Sequence, residues 1–417
     1  MSDFCVKYQV MGFVIVFPAG YCKTSAENRN RNMEKKMEKI RMGVVGLGHR
    51  GRNMFKLAAE AFPDYVIPAA ACDLITANWT ETKFQQTKSM AEQFPETVFY
   101  TDFHTMLKEA ALDAILIETG ADIHAQFCAD SLLAGVNVLS DIPVVATIGE
   151  ADMLWKVHKE CKNVMFSTGA NSNTTRYSRM MRELYNAGYL GKPYYMEAEY
   201  VTGQHWEDNL YRKVNPLTEN GDWRKLLSPI RYCTHSLGPF LAFVPEDLRK
   251  VSCFGTGPQA PIEEYHGFPK DDVQTAQFQT DSGVVIKLLR TGRCRAKIGS
   301  HNYRVFGTEG YFESESERGK RGQVIRYNST KYYPASELLE QEGGYMPYEC
   351  IHNPAAAGHG GADYVLLEDF IKALLTGGEP PISLKEGLRM TLPGIYAEMS
   401  ARQGGELLEI RYPWDNE

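Results

Sequence analysis

The run Gly46-Leu47-Gly48-His49-Arg50-Gly51 follows the apolar stretch 40–45 and leads into Arg52-Asn53-Met54-Phe55-Lys56-Leu57, so a glycine-rich turn joins a strand to a helix. The first glycine permits the tight turn, the second lets the backbone approach a diphosphate, and the third lets the helix pack closely on the strand. The helix N-terminus then faces the phosphates. A second apolar stretch, 65–72, ends on Asp73. That is about twenty residues past the last glycine, where an acid that accepts both ribose hydroxyls is expected. A carboxylate there also repels a 2′-phosphate, so the expected cofactor is NAD rather than NADP. The competing reading makes Asp73 an ordinary turn residue after a strand.

Beyond the turn, strand-like runs at 66–72, 97–100, 114–118, 136–139 and 164–166 alternate with helical periodicity such as 77–93 and 124–134. Alternation of this kind predicts βαβ units and a parallel sheet. After a helical piece at 176–186 the texture changes. Strand candidates at 193–201, 250–254, 273–280, 284–289, 303–307 and 323–327 predict a mostly antiparallel sheet, and two helices, 362–375 and 384–402, close the chain. The expected fold class is α/β: an N-terminal Rossmann domain with a doubly wound parallel sheet (40–168), then a C-terminal α+β domain with an open sheet (169–417). The last helices have the option of packing back on the Rossmann domain.

A net charge of −7 without a basic block argues against nucleic acid as partner. Nine cysteines without a Cys-x-x-Cys pair suggest reduced thiols and a cytoplasmic setting. The apolar stretch 10–17 is too short to span a bilayer. Residues 1–39 are expected to be an unstructured extension or to follow an upstream start codon; a signal segment, with periplasmic or secreted location, is the alternative. Ten histidines show no metal-type spacing.

From position 40 onward the chain resembles the Gfo/Idh/MocA oxidoreductase family. Besides the glycine turn, Thr119-Gly120-Ala121-Asp122-Ile123-His124 is similar to the family's Thr-Pro-Asn-x-x-His turn beside the nicotinamide, and Asp141-Ile142-Pro143 stands at the position of its Glu-Lys-Pro. The lysine that often relays protons in the dehydrogenases is therefore Ile142. That loss resembles one branch, the NAD-dependent α-N-acetylgalactosaminidases of glycoside hydrolase family 109, where Glu-Val-Pro replaces Glu-Lys-Pro. Tyr232-Cys233-Thr234-His235-Ser236-Leu237-Gly238-Pro239 and His359-Gly360-Gly361-Ala362-Asp363 look like the same branch. Two residues depart from it: the acid of the tripeptide is Asp141, and Thr174 occupies the position of a tyrosine expected to touch the sugar.

The resemblance implies NAD bound by Gly46, Gly48, His49, Arg50, Gly51, Asp73, Thr119, His124, Asp141 and Asn171. The expected substrate is a small-molecule carbohydrate met by Asn171, Thr174, Trp223, Arg224, Tyr232, His235 and His359, no membrane partner is expected, and the resemblance implies a dimer or tetramer built on the open sheet. The implied reaction is hydride transfer between a sugar ring carbon and nicotinamide. Alternatives are a redox-neutral glycoside hydrolysis by oxidation, elimination, hydration and re-reduction, or an NAD-binding regulator without turnover.

Acid/base work requires groups that exchange protons near neutrality. Tyr232, His235 and Asp141 are suited to it. A helix begun near Cys233 puts Tyr232 and His235 one turn apart on one face; the competing reading has His235 cap that helix and Tyr232 pack in the core. Asn171 either bonds the cofactor ribose or a sugar hydroxyl, or is a turn residue. Trp223 and Arg224, with His205 and Trp206, form either a stacking platform for a sugar ring or an anchor for the long loop 202–230. Asp363 alternatively serves only its helix N-terminus.

Overall fold

The computed structural model describes residues 7–10, 13–16, 39–83, 87–203, 227–265, 270–295, 299–316, 323–329, 339–343 and 359–415. Met1–Lys39 and Ile40–Glu417 are separate compact units. In the first, where the sequence predicts an extension, β1 (Lys7–Val10) and β2 (Phe13–Val16) pair antiparallel.

The second unit begins with β3 (Ile40–Val45), α1 (His49–Ala61), β4 (Val66–Cys72), β5 (Val98–Tyr100), α2 (Phe103–Glu109), β6 (Ala114–Ile117), α3 (Ala121–Leu133), β7 (Asn137–Ser140), α4 (Ile148–Glu160) and β8 (Phe166–Thr168). These strands form one sheet in the order β5-β4-β3-β6-β7-β8, every neighbouring pair parallel. This is the doubly wound order, and the reversal between β3 and β6 opens a crevice at the carboxyl ends of the strands. All four residues of β6 are buried, as expected for a strand covered on both faces.

The chain continues through α5 (Arg176–Asn186), β9 (Pro193–Gly203), α6 (Thr234–Leu241), β10 (Leu248–Gly255), β11 (Val273–Thr280), β12 (Val285–Cys294), β13 (Gly299–Gly307), β14 (Gly310–Ser316), β15 (Gln323–Ser329), β16 (Leu339–Gly343), α7 (Ala362–Thr376), α8 (Leu384–Arg402) and β17 (Leu408–Glu409). Its sheet has the order β16-β15-β14-β13-β9-β12-β11-β10-β17, antiparallel except where β9 meets β12. Helix α7 returns to the first sheet. Its Leu367, Phe370 and Ile371 are buried with Met54 and Phe55 of α1 and Val44 of β3, and Tyr364 stacks on Phe62 at 4.9 Å between ring centroids.

Three differences from the sequence expectations have identifiable causes. The predicted helix 77–93 is interrupted: a new turn, Met90–Gln93, starts from the reciprocal Ser89–Glu92 capping box, and residues 84–86 lie outside the described set. The sixth parallel strand falls two residues later than expected, at Phe166–Thr168, where Thr168 N–H donates to the Ile382 carbonyl ahead of α8. Strand β14 escaped the pattern because glutamate and serine alternate along it. Its Glu313 and Glu315 are met by Arg304 and Arg326 from the strands on either side, a cross-strand compensation that local sequence does not display.

Candidate functional site

The glycine turn is built as its spacing requires. Gly46 has φ +89°, and a Cβ on it would lie 2.6 Å from the Glu118 carbonyl oxygen; a Cβ on Gly51 would lie 1.9 Å from that of Gly46. A Cβ on Gly48 meets nothing within 4 Å. The chain itself therefore demands the first and third glycines, while the space over Gly48 suits something from outside. Gly48 is also the N-cap of α1 and provides no side-chain acceptor, so the first-turn N–H groups face that side, as a diphosphate needs. Gly51→Ala is expected to cost about 1–3 kcal/mol of stability by overpacking. Gly48→Ala is expected to leave stability within about 0.5 kcal/mol yet weaken NAD binding; calorimetric melting and nucleotide titration of both variants check the contrast.

Asp73 braces the same turn. It accepts hydrogen bonds from Leu47 N–H (2.7 Å), Ile75 N–H (2.8 Å) and Asn78 Nδ2 (3.1 Å). A carboxylate accepts roughly four such bonds, so the geometry leaves Asp73 capacity for one ribose hydroxyl rather than two. His124 is buried. Its ring lies between the carbonyl oxygens of Thr119 (2.9 Å) and Pro143 (3.0 Å), so it pins the 119–124 turn to the 141–143 segment. Ile142 is 2% exposed within the core. His49 is exposed at the start of α1, 3.5 Å from Asn53.

Arg50 stands at the centre of a charged cluster. Its Nη1 is 2.7 Å from Asp363, and its Nε is 3.6 Å from Asp141 and 3.8 Å from Glu118. Asp363 is shared further: Asn171 Nδ2 donates to its Oδ1 at 2.8 Å, and His359 Nδ1 lies 2.7 Å from its Oδ2. The His359-Gly360-Gly361 turn, with φ of +41°, +63° and +89°, bends the chain sharply enough to bring His359 back over Asp363. Burial opposes the charge of Asp363, but Arg50 and His359 outweigh it and hold the carboxyl well below the usual carboxylate range. Burial likewise opposes the charge of Arg50, and Asp363, Asp141 and Glu118 outweigh it, holding the guanidinium charged. Glu118 goes the other way: burial, aided by Asp141 and Asp363, raises it against the pull of Arg50.

A second group comes from the large sheet. Strand register sets Arg290 and His301 directly opposite Tyr200 on its two neighbouring strands, so the three form one row. Arg290 lies 4.1 Å from the centroid of the Tyr200 ring, and His301 is 3.7 Å from it, edge on. Above the row, Tyr232 ends the 3₁₀ turn Pro229–Tyr232 and His235 belongs to α6. Their rings are 5.2 Å apart and nearly perpendicular, and His235 is 5.9 Å from His301. Tyr303, two residues beyond His301 on the same face, donates its hydroxyl to the His235 carbonyl at 2.7 Å. Helix α6 approaches the Asn171–Thr174 turn at Gly238, where a Cβ would lie 2.4 Å from Asn173 Oδ1.

The two groups share one electrostatic environment. Burial depresses His235 well below its ordinary range, and His301, His359, Arg50 and Arg290 each add to the shift. His301 is pushed down to about 3 by burial, Arg290 and His359. Unfolded histidines take up protons below about pH 6.5, whereas these folded rings do not, so the unfolded state binds more protons and acid destabilises the fold. The melting temperature is expected to fall below about pH 6.5, and His301→Gln is expected to flatten that fall between about pH 6.5 and the depressed folded range.

Of the residues singled out from the sequence, Arg50, Asp141, Asn171 and His359 converge on or beside Asp363, and Tyr232 and His235 are neighbours. Thr174 is committed elsewhere: it is buried, and its hydroxyl is 2.8 Å from the carbonyls of both Asn171 and Ala362. Trp223 and Arg224, with His205 and Trp206, lie outside the described residues. Sequence reasoning missed Glu118, Tyr200, Arg290 and His301. Glu118 had a signal, an acid at the carboxyl end of an apolar strand at the switch point; the other three are adjacent only through strand register.

A glycine turn at the switch point of a doubly wound sheet, with its helix N-terminus uncapped, defines a dinucleotide-binding α/β protein. Residues 40–169 match the Gfo/Idh/MocA model, described as an oxidoreductase family with an NAD-binding Rossmann fold; that stretch is similar to the NAD-binding domain of the family. A glycosyl hydrolase family 109 protein of Akkermansia muciniphila is 25% identical over 89% of this chain and 81% of its own. An α-N-acetylgalactosaminidase of Shewanella oneidensis is 22% identical over 88% of this chain and 83% of its own. Among solved structures, scyllo-inositol dehydrogenase of Lactobacillus casei, with bound NAD(H) and scyllo-inositol, superposes with a TM-score of 0.67 at 16% identity, covering 89% of this chain and 99% of that one.

Proposed function

We propose that the protein is an NAD-dependent enzyme acting on a sugar or sugar derivative, with Tyr232 and His235 as its acid/base pair. One observation carries this reading: His235 is kept neutral beside Tyr232 within the field of Arg50, and its Nδ1 is buried without a hydrogen-bond partner among the described residues. A neutral imidazole with a free acceptor nitrogen can take the proton of a substrate hydroxyl. NAD, when bound, supplies the hydride acceptor. Tyr200, His301 and Arg290 offer aromatic faces and directed donors, which suit a polyhydroxylated ring. The Lactobacillus neighbour, which holds a cyclic polyol, supports this substrate class.

Redox-neutral glycoside hydrolysis is the second reading. It is favoured by the glycosidase names of relatives aligned over 88–89% of the chain, and by the carboxyls Asp141 and Glu118 beside Arg50, since elimination and hydration need additional proton transfers. Ile142 stands at the tripeptide position where a lysine would share that task. Purified protein is to be incubated with a panel of sugars and nitrophenyl glycosides, with and without NAD. Accumulating NADH absorbance supports net oxidation, and nitrophenol released at constant NADH supports hydrolysis. Silence in both points to an NAD-binding regulator and overturns the catalytic reading.

We further propose a division at 168/169 between cofactor and substrate domains, a cytoplasmic location and a homo-oligomer using the open sheet. No helix among the described residues is long and apolar enough to cross a membrane. Light scattering of the eluted protein tests the oligomer: a monomer throughout removes that part of the proposal.

A further inference from the structure

Glu118 is a buried carboxyl whose one ion pair among the described residues is its long contact with Arg50. It directly follows β6, with its side chain 2% exposed, and forms the floor of the glycine turn: its carbonyl oxygen blocks a Cβ on Gly46, and its own Cβ lies 3.0 Å from the position of one on Gly51. Its Oε2 is buried without a hydrogen-bond partner among the described residues. The charged groups that face it are Arg50 from α1, Asp141 from the end of β7, and Asp363 from α7. His359 is bonded to Asp363 and is mostly exposed.

One guanidinium thus faces three carboxyls, and geometry decides which of them it serves. Asp363 takes the short, directed contact at 2.7 Å; Glu118 is left at 3.8 Å from Nε with no donor on Oε2. A buried carboxyl without a donor is the one that keeps its proton when charges compete. A dinucleotide whose diphosphate lies over the N-terminus of α1 extends across the carboxyl ends of β6 and β7, where Glu118 and Asp141 stand. The oxidised nicotinamide ring carries a positive charge and the reduced ring is neutral, so the two forms bring different fields to the same carboxyl.

We propose that Glu118 is a proton store of the nicotinamide pocket, protonated beside the reduced ring and ionised beside the oxidised one. The inference rests on the NAD site described above. Binding of NAD⁺ releases the Glu118 proton to solvent, and binding of NADH does not. During turnover a substrate hydroxyl gives up one proton as its carbon gives up one hydride, and the Glu118 carboxylate has room for that one proton until the hydride returns or the reduced cofactor leaves.

Isothermal titration of the full chain with NAD⁺ and with NADH, each in phosphate and in Tris between about pH 6 and 9, counts the protons released through the buffers' different ionisation heats. The expected result is up to about one more proton released by NAD⁺ than by NADH, and a ratio of NAD⁺ to NADH dissociation constants that falls by up to about tenfold per pH unit through the titration. Glu118→Gln should bind both nucleotides without the difference. Asp141→Asn should keep it but move it to lower pH, because Asp141 opposes the charge on Glu118. Equal proton release in the unmodified protein overturns the proposal without any variant, as does a difference that persists in Glu118→Gln. Failure of the unmodified protein to bind either nucleotide overturns the cofactor site itself, which distinguishes the two failures.

Discussion

Replacing His235 with glutamine, or Tyr232 with phenylalanine, is expected to lower kcat by about 10²- to 10⁴-fold, the range for loss of a positioned acid or base. NAD affinity should stay within about threefold, since a group that acts only in the transition state adds little to ground-state binding. Both variants are close to isosteric, and Tyr303 holds the His235 backbone through its carbonyl, so the helix should keep its place. The pH profile adds an independent check. Burial and the nearby His301, His359 and Arg50 depress the His235 pKa, so its neutral form persists below about pH 6.5, the unperturbed value. The acid limb of kcat/KM should therefore fall below that pH in the unmodified protein. Steady-state kinetics that show less than about a tenfold loss in either variant would remove the pair from the chemistry.

The second large effect is structural. Arg50→Met leaves Asp363, Asp141 and Glu118 around a cavity without their cation, and breaking a buried pair by removing one partner costs about 3–5 kcal/mol. Asp363 is the main loser, since Arg50 gives it the short contact and its side chain is only 7% exposed. At roughly 2–4 °C per kcal/mol for a large domain, the melting temperature should drop by about 6 °C or more. The double variant Arg50→Met/Asp363→Asn should recover part of that loss, because the uncompensated charge is gone. A purely additive pair of effects in the calorimeter would show that the two side chains are not coupled.

The local half of this architecture is legible in the amino-acid sequence alone. Runs such as 273–280 and 384–402 carry their period and their end signals within themselves: Ser383 and Glu386 form the capping box that starts α8, and the strand 273–280 alternates buried and open residues. The glycine turn is legible for the same reason, since each glycine answers a steric demand made by residues a few positions away. Sequence spacing put an acid at Asp73, but it cannot reveal that Leu47, Ile75 and Asn78 already donate to that carboxylate.

What the sequence by itself determined was most of the elements, the doubly wound parallel sheet and the dinucleotide turn, all of which follow from steric and hydrophobic rules acting over a few residues. The tertiary structure alone decided who meets whom at the site. Helix α7 returns across more than half the chain to set Asp363 against Arg50, and strand register lines up Arg290, Tyr200 and His301. Charge pairing and cross-strand alignment act through space, so no spacing along the chain records that three carboxyls share one guanidinium, or that Glu118 Oε2 finds no donor among the described residues.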